Sequence, residues 1–133
     1  MSMTSANLKA LLSEHSLDEL KQLIRRERAR KSLAAFCQYV DPSYQLASHN
    51  LKLIAALEKV ERGECKRLMV SMPPRHSKSE TSTINFPTWY LGKHPERDII
   101  IAANATELAE TFSRKARSKF EEHAEALFGV RIA

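Results

Sequence analysis

Lys78 and Ser79 are the residues whose types and spacing most plainly offer chemistry. They close the run Arg67-Leu-Met-Val-Ser-Met-Pro-Pro-Arg-His-Ser-Lys-Ser79, which reads as a short apolar strand, a tight turn and the start of a helix. The first turn of a helix carries unpaired N–H groups and a partial positive charge, so it suits a phosphate. At that place an ammonium reaches the β- and γ-phosphates of a nucleotide, and a hydroxyl takes a position on Mg²⁺. In the general pattern G-x-x-x-x-G-K-[ST] the two glycines would fall at Met72 and Ser77, and neither is glycine. The plainer alternative is a Pro-Pro turn followed by a solvated lysine. Context favours the phosphate site, because a second apolar run, Asp98-Ile-Ile-Ile-Ala-Ala103, follows the helix and completes a βαβ setting.

Other candidates are weaker. Tyr44, Gln45 and His49 would line a base pocket if the chain folded back beside the phosphate loop; otherwise His49 is a packing or capping residue. The cluster Arg25-Arg-Glu-Arg-Ala-Arg-Lys31, and Arg114, Lys115, Arg117 and Lys119 further on, would meet DNA or form ordinary solvated helix faces. A formal net charge of +5 and a pI near 9.4 fit a phosphate-rich partner without requiring one. Cys37 and Cys65 form no CxxC pair and read as two reduced thiols, and the five histidines show no metal-ligand spacing. The N-terminus lacks the pattern of a signal peptide, and no apolar run approaches the ~20 residues that span a bilayer.

These residues need elements to hold them. Ser16-Leu-Asp-Glu19 is a capping box and predicts a helix after Ser16, continued by an apolar stripe through Leu33, Phe36, Cys37 and Val40 until Asp41-Pro42 stops it. A second helix is expected from Ser48, with Leu51, Ile54, Leu57 and Val60 facing the core and Gly63 in the left-handed position after it. Residues 68–72 and 98–103 read as parallel strands covered on both faces. Pro87 predicts a kink or a break in the helix that follows Lys78, with Trp89, Tyr90 and Leu91 in the core. Asn104-Ala-Thr-Glu107 is a second capping box, opening a helix whose stripe is Leu108, Phe112, Ala116 and Phe120.

The run Pro73-Pro-Arg-His-Ser-Lys-Ser-Glu80 resembles the Pro-Pro-Arg-His-Gly-Lys-Ser-Glu phosphate loop of tailed-phage terminase large subunits. Phe86-Pro-Thr-Trp-Tyr-Leu-Gly-Lys-His-Pro95, Asn104-Ala-Thr-Glu-Leu-Ala-Glu-Thr-Phe-Ser-Arg114 and the lead-in Gly63-Glu-Cys-Lys-Arg67 are similar to family segments in the same order. The resemblance covers roughly Phe36 onward. It implies an ATPase that drives double-stranded DNA into a capsid, with ATP and Mg²⁺ as cofactors and the portal ring and small terminase subunit as partners. The place of work would be the host cytoplasm, docked transiently on the procapsid. It further implies that Lys78 and Arg75 act on the phosphates and Ser79 on Mg²⁺, with Pro74, His76, Ser77 and Glu80 completing the nucleotide site.

Two departures bear on this. Ser77 stands where the family has glycine; if φ > 0 is needed there, the strain is ~1–3 kcal/mol, or roughly five- to a hundredfold in affinity. No apolar run after the loop ends in the acidic residue that positions Mg²⁺ for hydrolysis. The expected architecture is therefore an α/β, P-loop NTPase-like parallel-sheet fragment. Residues 1–63 form an N-terminal helical section, and 64–133 form the front part of an ATPase domain without its nuclease partner. Unpaired strand edges would favour a homo-oligomer. The rival readings are a DNA- or portal-binding module that uses no nucleotide, and a fragment of another helicase-like ATPase.

Overall fold

A computed structural model describes residues 4–14, 16–72 and 79–132. The chain is helical: α1 (Ser5–Glu14), α2 (Leu17–Lys31), α3 (Leu33–Val40), α4 (Ser48–Glu61), a π-helical turn (Glu80–Asn85) running directly into α5 (Phe86–Lys93), and α6 (Thr106–Phe128). No helix among the described residues is long and apolar enough to cross a membrane.

The capping box works as read: Ser16 Oγ accepts from the Glu19 N–H at 3.3 Å. The helix it opens does not run on to Val40, however. It breaks at Ser32, whose backbone is extended (φ −124°, ψ 126°). Ser32 ends α2 and caps α3, its Oγ accepting from the Ala35 N–H. The inner face of this corner lies in the core, where Ala29, Leu33 and Phe36 are fully buried, while Arg30 and Lys31 are exposed. Helix ends buried there need partners for their orphan backbone groups. Glu58 Oε1 accepts from the Leu33 N–H at 3.1 Å, and the Trp89 indole donates to the Arg30 carbonyl at 3.2 Å.

On α4 the core face is Asn50, Leu53, Ile54 and Leu57, at spacings of three and four. Leu51, assigned to that stripe from the sequence, is exposed. Glu61 near the end of α4 holds the end of α5, with Lys93 Nζ at 3.1 Å and His94 Nε2 at 2.9 Å. Burial alone would raise the Glu61 carboxyl; the hydrogen bonds from His94 and Lys93 bring it below its usual range. Gly63 takes φ +80°, the left-handed position expected of it.

The parallel sheet expected from residues 68–72 and 98–103 is not formed: the described residues contain no strand. Residues 69–72 and 98–102 show the alternation of a half-buried strand. Val70 and Met72 are partly covered, whereas Leu68 and Met69 are exposed; Ile99 and Ile101 are partly covered, whereas Ile100 is 92% exposed. Their inward residues rest on helices, and no ladder joins the two runs. Two strands alone are marginal at best in water, so apolar alternation without further strands does not make a sheet.

Pro87 does not break its helix: the chain stays helical through Asn85 (φ −69°, ψ −45°) and changes from a π-helical to an α-helical path just before the proline. The Phe86 N–H reaches back five residues to the Thr81 carbonyl, making the wide turn that precedes the proline. A proline ring clashes with the carbonyl four residues earlier, and the widened turn moves that carbonyl aside. Trp89 is buried in the core with Leu127 of α6. Gly92 is a buried helical residue pressed on Phe128: a Cβ there would sit 2.3 Å from Phe128 Cδ2. Phe128 is itself held by Phe36, ring centroids 6.4 Å apart.

Gly92→Ala should therefore destabilise the fold by about 1–3 kcal/mol, read as a lower urea midpoint, and Phe128→Leu in the same chain should return part of the loss. An unchanged midpoint in Gly92→Ala would contradict the packing described.

Candidate functional site

The π-helical turn begins where the phosphate-loop motif ends, so what holds it decides how that end of the chain is presented. Thr81 and Asn85 lie four residues apart on its inner face and are fully buried. Each is tied to a different element. Thr81 Oγ1 is hydrogen-bonded to Tyr44 Oη, in the connection between α3 and α4, and Asn50 Nδ2 of α4 donates to the same phenol oxygen at 3.0 Å. Asn85 Nδ2 donates to Cys37 Sγ of α3 at 3.4 Å. Lys119 of α6 donates to Asn85 Oδ1 at 2.8 Å and is ion-paired to Glu80. Three elements thus grip one turn directly, and α4 supports it through Tyr44, by buried and half-buried polar side chains, where each bond is strong and each orphan costly.

The electrostatics follow from burial. Cys37 is fully buried, and desolvation pushes its thiol up to about 12, against the pull of the Asn85 hydrogen bond and the nearby Lys119 charge. Burial likewise raises the Tyr44 phenol, although Thr81 and Asn50 hydrogen-bond to it. Both groups stay protonated at neutral pH, so neither is a nucleophile or base there. Asn50 Oδ1 is buried with no hydrogen-bond partner among the described residues.

Of the site residues read from the sequence, Pro74, Arg75, His76, Ser77 and Lys78 lie outside the described residues. Ser79 is exposed and already helical (φ −68°, ψ −39°) at the head of the turn. Glu80 is committed to Lys119. Tyr44 does fold back beside the helix that follows the loop, the condition set for a base pocket, but it is buried and bound to Thr81. Gln45 is exposed on the same connection, and His49 is exposed in the first turn of α4. Lys119, placed by the sequence on an outer basic face, is instead part of the buried network. Among the described residues no group of three or more His, Cys, Asp or Glu is placed to hold a metal ion.

Asn50, Thr81, Asn85 and Cys37 were not singled out as a site from the sequence. The available signal was the spacing of Thr81, Asn85 and Thr88, which puts three polar residues on one helical face, as in a buried stripe. Thr88 continues the stripe, its Oγ1 lying 2.8 Å from the Ile84 carbonyl and 3.2 Å from that of Ala116.

No family model, curated protein or solved structure matches the chain.

The buried thiol and phenol fix a pH dependence. A group whose folded pKa lies above its unfolded value contributes stability that is whole below the unfolded pKa and fades as pH rises through the folded one. For Cys37 that window runs from near 9 to about 12, with a slope of up to about 1.4 kcal/mol per pH unit. Urea unfolding across this range should show stability falling with pH, less steeply in Cys37→Ala; equal slopes in the two proteins would contradict a buried, protonated Cys37. In the native protein a thiol reagent should modify Cys65 and spare Cys37.

Proposed function

We propose that this chain is the nucleotide-binding portion of a phage terminase large subunit, the ATP-driven motor that packages double-stranded DNA. On this reading it works in the host cytoplasm with the portal ring and small subunit as partners. The observation that carries the reading is the placement of Ser79. Ser79 is exposed at the head of a helical turn whose opposite side is fixed by Tyr44, Cys37 and Lys119. The motif of residues 73–80 supplies the rest of the argument.

The donor set fits a magnesium-bound triphosphate in type. A hydroxyl suits Mg²⁺, helical first-turn amides suit phosphate oxygens, and Lys78 and Arg75 in the adjoining loop carry the opposite charge. Bound there, the metal would neutralise charge on the phosphates. The chain's own residues bind and orient. The rear network keeps the turn from shifting, and Glu80, paired with Lys119, is kept from repelling the anion at full strength. The absence of strands among the described residues removes the βαβ setting that favoured the motif, so the reading rests on the residue types of 73–80 and on the placement of Ser79.

The 133 residues place no acidic residue after an apolar run downstream of the loop, so binding is expected without turnover. Titration of a fluorescent ATP analogue with Mg²⁺ should show weak saturable binding that Lys78→Ala abolishes and Ser79→Ala makes insensitive to Mg²⁺. Binding unaffected by Lys78→Ala, or steady ATP hydrolysis lost on that substitution, would overturn this account.

A further inference from the structure

The basic run on α2 is not one uniform face. Arg30 and Lys31 are both ion-paired to Glu27, at the end of the same helix. Arg25 and Arg28, three residues apart, lie on one side of α2, about 5–6 Å between Cβ atoms. Both are exposed, and among the described residues neither has a carboxylate partner. They open onto a cleft of about 400 Å³ between α2 and α3, lined also by Ala35, Gln38, Tyr39 and Pro42. The Arg25 guanidinium sits over the Tyr39 ring, 5.8 Å from its centroid, and His123 of α6 packs edge-on to the same ring at 5.7 Å. Tyr39 is thus clamped between two elements and pre-orients Arg25, which lowers the entropy lost when the guanidinium meets a ligand.

We propose that this α2–α3 cleft is a second polyanion site, which takes the phosphodiester backbone of a nucleic acid. Two guanidinium forks spaced along one helix suit anions that repeat along a strand, and each fork can bind phosphate oxygens bidentately. Gln38 adds an uncharged donor and acceptor, and Ala35 and Pro42 give an apolar floor for sugar faces. The contacts are to backbone, so the site positions nucleic acid without reading sequence. It uses no residue of the 73–80 segment and does not rest on the nucleotide reading.

The test is fluorescence anisotropy of a short labelled DNA duplex with the full chain over a series of salt concentrations. Arg25→Ala with Arg28→Ala should weaken binding by about tenfold at low salt and lower the slope of log K against log salt by about two. Arg30→Ala removes one equal charge from the same helix but one already paired to Glu27; it should change affinity by less than twofold. Gln38→Glu, which places a carboxylate in the cleft without removing an arginine, should also weaken binding, and circular dichroism should confirm that every variant stays helical. Equal losses in Arg30→Ala and Arg25→Ala would mean diffuse charge rather than a site. Displacement of the duplex by poly-L-glutamate as readily as by unlabelled duplex would mean a site for acidic peptide. Either result, or no duplex binding at low salt, overturns the proposal.

Discussion

The fold depends on a buried corner. At Ser32 one helix stops and another starts at the edge of the core, with Ala29, Leu33 and Phe36 sealed from water on the inner face. Ending two helices in such a place exposes backbone groups to a medium that cannot solvate them. Three side chains from three parts of the sequence meet that demand: Ser32 itself, Glu58 from α4 and Trp89 from α5. The Trp89 indole ties α5 to the end of α2. Because Glu58 must reach Leu33, α4 lies along α3. The positions of the later helices are therefore set by hydrogen-bond accounting at one corner as much as by apolar area.

The candidate site inherits this arrangement. With α3, α4 and α5 placed, the turn Glu80–Asn85 lies where Tyr44, Cys37 and Lys119 converge, and its inner residues are polar to match. A turn gripped on its inner side keeps its outer end in a fixed direction. That division of labour, rigidity behind and an open hydroxyl at the head, is what a phosphate-binding helix start requires. It also accounts for an unreactive Cys37: the thiol serves as a hydrogen-bond partner for Asn85 and stays protonated.

Much of the local structure was legible in the sequence. Ser16-x-x-Glu19 marked the start of α2, Gly63 took positive φ, Pro87 marked the change of helix, and Trp89 went to the core, because each of these follows from local backbone chemistry. What depended on distant partners was not legible. Ser32 lies between helix-forming runs that read as one helix, and only Glu58 and Trp89, 26 and 57 positions on, make a break there tolerable. Residues 98–103 have the composition of a buried strand, but a strand is defined by the neighbour it pairs with, and composition names no neighbour. Lys119 looked like surface charge because its two partners, Glu80 and Asn85, are more than thirty residues away. The site residues found from the sequence were those of a linear motif; those found only in the structure were the ones behind it.

The most direct measurement is amide hydrogen exchange across Ser79–Asn85 with and without Mg²⁺ and ATP. If this turn is the phosphate-facing end of a helix held from behind, its amides should exchange more slowly with nucleotide present, while those of Arg25 to Ala29 stay unchanged. Saturable nucleotide binding that leaves exchange in 79–85 untouched and slows it elsewhere would contradict the account.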